Sequence, residues 1–220
     1  MYRKGNDMRI MSMISVAALA TAAAVSGSAS AATLATATTA LNIRSGPGPQ
    51  YDVVGVINEH GQAHMVGCIQ GSLWCQVDYH GKQGWAYSKY LTTPVAGRPL
   101  VIAGNTAQIG VPYATYQAPA STTTVETVGS AAPAVTGTLV EAPATATTQY
   151  VVNPPATVRT YVIQHPAQPV YLNGEVVVGA SLPEDVALQP VPDTEYEYAD
   201  VNRVPVLVQP RTRRIVYVYR

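Results

Sequence analysis

Cys68 and Cys75 are the two cysteines of this 220-residue chain, and Ile69-Gln-Gly-Ser-Leu-Trp74 lies between them. A pair of thiols can be a redox couple, part of a metal site, or a structural bridge. Redox pairs take a Cys-x-x-Cys spacing at a helix start, and structural zinc takes four ligands. Neither pattern is present, so the bridge is the expectation. If Gly71-Ser72 is the centre of a two-residue hairpin turn, with Gly at its first position, Gln70 faces Leu73, Ile69 faces Trp74 and Cys68 faces Cys75. Opposed antiparallel residues have Cα atoms about 4.5–5.5 Å apart, inside the roughly 4.4–6.8 Å that a disulfide spans. The closed loop is short, so the expected gain is about 2–3 kcal/mol at most.

Other reactive side chains are sparse. His60 and His64 stand four apart, a metal-binding spacing on a helix, but Glu59-His-Gly-Gln-Ala-His-Met-Val66 reads as a loop feeding a strand with solvated histidines. Glu184-Asp185 reads as a solvated turn and Glu195/Glu197 as a solvated strand face. Arg211, Arg213 and Arg214 could grip carboxylates or phosphates; such a trio more commonly protects a sheet edge. Pro166-Ala-Gln-Pro169 fits Pro-x-x-Pro, a match common in any Pro-rich chain. Gly-x-Ser-x-Gly, His-Glu-x-x-His and phosphate-binding glycine loops do not occur. A cysteine peptidase needs a free nucleophilic Cys and a partner His in a catalytic domain, and both cysteines here lie within one small β segment. No catalytic, metal or cofactor-binding residue is expected, and the chain reads as non-enzymatic.

The first 31 residues read as a signal peptide. Arg3, Lys4 and Arg9 precede an apolar, Ala-rich run from Ile10 to Val25, and Ala29-Ser30-Ala31 is a small-x-small cleavage pattern, so the mature chain is expected to start at Ala32 after cleavage at Ala31. The run is mostly Ala, Ser and Thr, which favour insertion weakly, so stable membrane insertion after cleavage is not expected. The chain has 13 basic and 13 acidic residues; the leader takes three basic (Arg3, Lys4, Arg9) and one acidic (Asp7), leaving 10 and 12, a net charge of −2. That balance offers nucleic acid no electrostatic footprint. Phe is absent while Tyr occurs 14 times, and Tyr, with an apolar body and a polar tip, suits small β domains and contact surfaces.

All-β patterning organises the rest. Leu41 and Ile43 alternate with polar residues, a Gly/Pro turn follows, and Val53-Val-Gly-Val-Ile57 reads as the next strand. Gln76-Val-Asp-Tyr79 and Lys82-Gln-Gly-Trp85 flank His80-Gly81 as a hairpin. Residues 94–156, rich in Ala, Thr, Pro, Val and Gly, show no sustained period and read as a low-complexity linker, with Leu100 to Ile109 as the place for an extra short strand. Beyond it, Val158-Arg-Thr-Tyr-Val-Ile163 looks strand-like. Asn173-Gly174 is a strong hairpin signal between apolar runs. The runs Glu195–Val201, Val204–Val208 and Arg214–Tyr219 read as a β-meander, and Pro205 places its strand at an edge or its own residue near a strand start.

The run Leu41-Asn-Ile-Arg-Ser-Gly-Pro-Gly-Pro-Gln-Tyr51, with Gly-Trp85-Ala-Tyr-Ser-Lys-Tyr90-Leu91, closely resembles the bacterial SH3-like (SH3b) domain. Gly179-x-x-Leu182-Pro183 and Pro205-Val-Leu-Val-x-Pro-Arg-Thr-Arg-Arg-Ile-Val-Tyr217 resemble DUF1236, a family of exported bacterial proteins. The expected organisation is a signal peptide (1–31), a short N-terminal segment (32–36), a small SH3-like barrel (37–93), a flexible linker (94–156) and a small C-terminal β-meander domain (157–220). The SH3b resemblance implies a binding role in the periplasm or cell envelope, toward peptidoglycan or its peptides, through a surface drawn from Arg44, Tyr51, Trp74, Tyr87 and Tyr90. Trp74 is the first choice, because neighbours in a strand face opposite sides and it adjoins Cys75. The rival readings are a structural or protein-interaction module with an envelope protein as partner, and an accessory subunit of a separate cell-wall enzyme.

Overall fold

Strands of four to seven residues build the N-terminal lobe of the computed structural model, which describes Met1 and residues 33–117, 136–140 and 151–220. The signal segment, with Ala31 and Ala32, and part of the expected linker lie outside the described residues. In chain order the strands are β1 (Leu34–Ala37), β2 (Leu41–Arg44), β3 (Val53–Ile57), β4 (Gln62–Cys68), β5 (Trp74–Tyr79) and β6 (Lys82–Tyr87). A 3-10 turn (Ser88–Tyr90), β7 (Leu91–Val95) and β8 (Arg98–Val101) follow. They form one antiparallel path, β3-β2-β6-β5-β4-β1-β7-β8. Among the described residues no ladder joins β3 to β8, so the class is all-β with an open eight-stranded path. β1 lies partly within the short segment expected before the domain. β7 and β8 carry the sheet into the expected linker, turning at Ala96 and Gly97, both with positive φ.

Turn chemistry sets the registers. The β5–β6 hairpin closes Tyr79 on Lys82 through His80 (φ 54°) and Gly81 (φ 79°), the positive-φ pair that matches strand twist in two-residue hairpins. Between β4 and β5 the turn lies one residue earlier than expected. Ser72 N donates to Ile69 O at 3.1 Å, which puts Gly71 (φ 72°) at the third turn position, where a left-handed residue is required. The register beyond it is as expected: Cys68 faces Cys75 and the disulfide is formed across a Cα separation of 4.0 Å.

The chain continues through a short helix, α1 (Thr106–Ile109), and a two-residue strand, β9 (Gly137–Thr138), to α2 (Ala156–Gln164). Then come β10 (Pro169–Val170), β11 (Leu172–Asn173), β12 (Gln189–Pro190), β13 (Glu197–Val201), β14 (Val204–Gln209) and β15 (Arg214–Val218). β13, β14 and β15 form the expected meander, with β10 parallel to β13 on its other side. Pro205 is the second residue of β14, so its position near a strand start holds although β14 itself is central.

Two local expectations are corrected. Val158–Ile163 is helical: Val158 and Val162, one turn apart, are buried against Val191, Tyr198, Leu207 and Val216 of the meander side, and Tyr161 stacks on His165 at 4.2 Å. Tertiary burial at i and i+4 outweighs the β-branched propensity that suggested a strand. Asn173-Gly174 closes no hairpin. β11 pairs in parallel with β9 instead, and Gly174 (φ 108°) turns the chain so that Glu175 points into the interior.

Both lobes share one apolar core. Leu41, Ile43, Trp85 and Leu91 of the first and Leu172, Val176, Val206 and Ile215 of the second belong to one buried cluster, and Ala32–Arg220 forms one compact unit. The two pieces of the chain that resemble DUF1236 meet in space. Leu182 N donates to Arg213 O, Gly179 N to Ile215 O and Ile215 N to Ala180 O at 2.8–2.9 Å. Arg213 also binds the carbonyls of Leu182, Pro183 and Val186, and Arg214 that of Gly179. These two arginines therefore fasten a loop to the meander, a role different from the solvated edge charges expected of them.

Candidate functional site

β2 is buried on both faces. Leu41 and Ile43 enter the apolar core, as their alternation requires. Asn42 and Arg44, on the opposite face, are sealed by the second lobe. Glu175 (1 % exposed) approaches Arg44 (0 % exposed). Asn42 Nδ2 donates to Glu175 Oε1 at 2.5 Å and Arg44 Nε to Oε2 at 3.4 Å. Arg44 Nη1 donates to three carbonyls, Tyr51 at 2.9 Å, Asn202 at 3.1 Å and Pro49 at 3.2 Å. Arg220 Nε reaches Asn42 Oδ1 at 3.0 Å, and Arg203 binds both Asp52 and the Tyr171 hydroxyl. These hydrogen bonds hold the Arg203 guanidinium above its ordinary pKa, the Tyr171 bond more than the Asp52 bond. Buried charges are tolerated where paired and hydrogen-bonded. Arg44 meets that condition through Nε and Nη1 with groups from both lobes, while its Nη2 is buried without a partner, and the Arg203–Asp52 pair is solvent-exposed.

Through Arg44 the joint also shapes the loop of residues 45–51. By gripping the carbonyls of Pro49 and Tyr51, Arg44 fixes Pro47-Gly-Pro-Gln50 as one wall of an open groove of about 470 Å³. The opposite wall is the hairpin loop Gly71-Ser-Leu73, with Trp74 and Tyr87 beneath and Asn173-Gly174 of the second lobe at the rim. Trp74 and Tyr87 face each other across β5 and β6 with ring centroids 5.4 Å apart, edge to face. Ser88 pins the hairpin loop: its amide and its hydroxyl both donate to Leu73 O at 2.8 Å. The result is a trough with polar groups at its rims and the nearly buried Trp74 and Tyr87 at its base.

The five residues expected to bind ligand have separate fates. Trp74 (7 % exposed) and Tyr87 (6 % exposed) line the groove and are otherwise buried. Tyr90 is buried next to Tyr87, its ring centroid 6.3 Å away. Tyr51 is half-buried and packs against Tyr116. Arg44 is corrected from a candidate ligand contact to an interior anchor, because the second lobe covers the strand face from which it projects. His60 and His64 are both exposed. Among the described residues no three His, Cys, Asp or Glu side chains converge as metal ligands would. Glu175 was not singled out in the sequence. Its one signal was a lone acid between Gly174 and the run Val176-Val-Val178, where an unpaired charge would have no partner.

Residues 39–92 match the family described as the bacterial SH3 domain, and residues 161–220 match the domain of unknown function DUF1236. The chain thus carries a bacterial SH3 domain followed by a C-terminal DUF1236 domain, as the two resemblances implied. Over 53 residues it is 38 % identical to a Bacillus subtilis (strain 168) protein named "Putative N-acetylmuramoyl-L-alanine amidase YrvJ". That match covers 24 % of this chain and 10 % of the relative, so the chain spans about a tenth of that protein's length.

Proposed function

We propose that this is an exported, non-enzymatic envelope protein whose SH3 lobe binds peptidoglycan or its peptides. The observation that carries the reading is the aromatic-floored groove of a bacterial SH3 domain, walled by Pro47–Gln50 and Gly71–Leu73. The relative named as an amidase of N-acetylmuramoyl-L-alanine, a cell-wall linkage, supports the same ligand class. Two features support export: the leader pattern, and a disulfide of the kind that persists in oxidising compartments. No helix among the described residues is long and apolar enough to cross a membrane. The groove is the ligand site in this reading, and the second lobe completes its rim.

Purified peptidoglycan at low salt tests the reading, with the mature chain and two rim variants, Gln50→Ala and Asn173→Tyr. Wild type is expected in the pellet. Asn173→Tyr, which places a ring across the trough from an exposed position, is expected to lose most retention with its thermal melt unchanged, and Gln50→Ala to lose part of it. A wild-type chain that stays in the supernatant sinks the cell-wall reading in favour of a protein-interaction module. The mass of the native protein is expected to correspond to a start at Ala32; an intact leader in the membrane fraction would establish an anchor instead.

A further inference from the structure

After α1 the chain folds back onto the SH3 lobe as an extended peptide. β1 pairs with β4 over Gln62–His64, and Thr33 O takes the Met65 amide. From Gly67 onward that edge of β4 is covered by a different segment. Cys68 N donates to Pro112 O and Ala114 N to Cys68 O, both at 2.9 Å, a parallel bridge centred on Tyr113. Gly67 makes room for it: a Cβ there would stand 3.1 Å from both Ala114 Cβ and Pro112 O. Val111 is buried, and Tyr116 enters a cleft between Tyr51 and Trp85, with ring centroids 5.5 and 5.6 Å away at interplanar angles of 76° and 88°. Tyr113, between these anchors, is 63 % exposed.

This is how a peptide ligand is held by strand addition: main-chain bonds to a sheet edge give affinity and pockets for particular side chains give selectivity. Here the pockets accept an aliphatic residue, a small residue and an aromatic ring, at the positions of Val111, Ala114 and Tyr116. Pro112, Tyr113 and Thr115 face solvent. Two main-chain bonds and one edge-to-face ring pair of contacts on each side make a modest hold, which the covalent tether strengthens by an effective concentration on the order of mM.

We propose that the SH3 lobe carries a second recognition site, distinct from the groove, for extended peptides of the pattern aliphatic-x-x-Ala-x-Tyr, and that residues 111–116 are its tethered occupant. The site is formed by the Gly67–Cys68 edge of β4 and the Tyr51/Trp85 cleft. A segment of another envelope protein with this pattern would bind there by displacing the occupant.

The test uses the full mature chain, labelled for NMR, and the synthetic peptide Val-Pro-Tyr-Ala-Thr-Tyr-Gln. In Tyr116→Ala the Trp85 indole and the Gly67 and Cys68 amide signals are expected to move. Peptide added to mM concentration is expected to return them toward their wild-type positions, while a peptide with Ala for its second Tyr leaves them in place. Ala114→Pro, which deletes the amide that binds Cys68 O, gives a second, independently opened site. No response to the peptide in a folded variant, or an equal response to both peptides, overturns the proposal. Unfolding of both variants also overturns it, by showing that the segment is an integral strand.

Discussion

Glu175 reaches from the second lobe to two donors on β2 of the first, and its buried carboxylate has no water to fall back on. Asn42 and Arg44 supply the partners. Removing one member of such a pair strands the other charge, at a cost of about 3–5 kcal/mol. Glu175→Ala is therefore expected to lower stability by that amount in urea unfolding, with Glu175→Gln costing less because its amide oxygen still accepts from Asn42. The double change Arg44→Met with Glu175→Leu is expected to be milder than Glu175→Ala alone, since it leaves no stranded charge; equal or greater loss would show that the pair is not the source of the effect. The Asn-x-Arg of β2 was readable as a motif, but its role was not. Alternation marked Asn42 and Arg44 as the outward face, and the covering residue lies 131 positions away from Arg44. The aromatic residues show the same limit: Trp74, Tyr87 and Tyr90 belong to the expected binding surface, yet Tyr90 is buried and Trp74 and Tyr87 reach the groove with only 7 % and 6 % of their surface exposed.

At the scale of elements, turn residues were the most dependable signal. His80-Gly81 set its hairpin, and the spacing around Gly71 opposed the two cysteines even though the turn itself began one residue early. Asn173-Gly174 carried an equally strong signal and closed no hairpin, because β9 offered Leu172-Asn173 a pairing that local sequence does not record. α2 reads as a strand because β-branched residues (Thr157, Val158, Thr160, Val162 and Ile163) dominate it, and the burial of Val158 and Val162 against the meander explains its helicity. The cysteine bridge gives this scale its test. The loop it closes is short, with a sequence separation of 7, so replacing both residues by Ser is expected to cost about 2–3 kcal/mol in the chain-entropy estimate. Urea titrations of wild type with and without reductant should differ by the same amount, and coincident curves would mean that the β4–β5 pairing alone holds the hairpin.

For the whole molecule, the shared apolar cluster and the polar joint make the two lobes one folding body, although each corresponds to a separate sequence family. A linker composition between them suggested independent modules. Composition records how a segment is connected; it does not record what the flanking surfaces bury against each other. A specific protease site introduced within residues 118–135 tests this. After cleavage the two fragments are expected to co-elute and to melt in a single transition; separate elution would restore the picture of two modules on a tether.

The position of Glu175 also orders events during synthesis. Arg44 emerges 131 residues ahead of its carboxylate, which at about 5–20 residues per second is on the order of ten seconds. During that interval the strand bearing Asn42 and Arg44 has one finished face and one that must stay hydrated, so the first lobe cannot reach its final state before the second is made. A product truncated before residue 175 would keep an uncovered cation at its centre. Burial of Arg44 therefore depends on the C-terminal lobe: only a polypeptide that includes residues through Asn202 can cover the arginine that its first half presents.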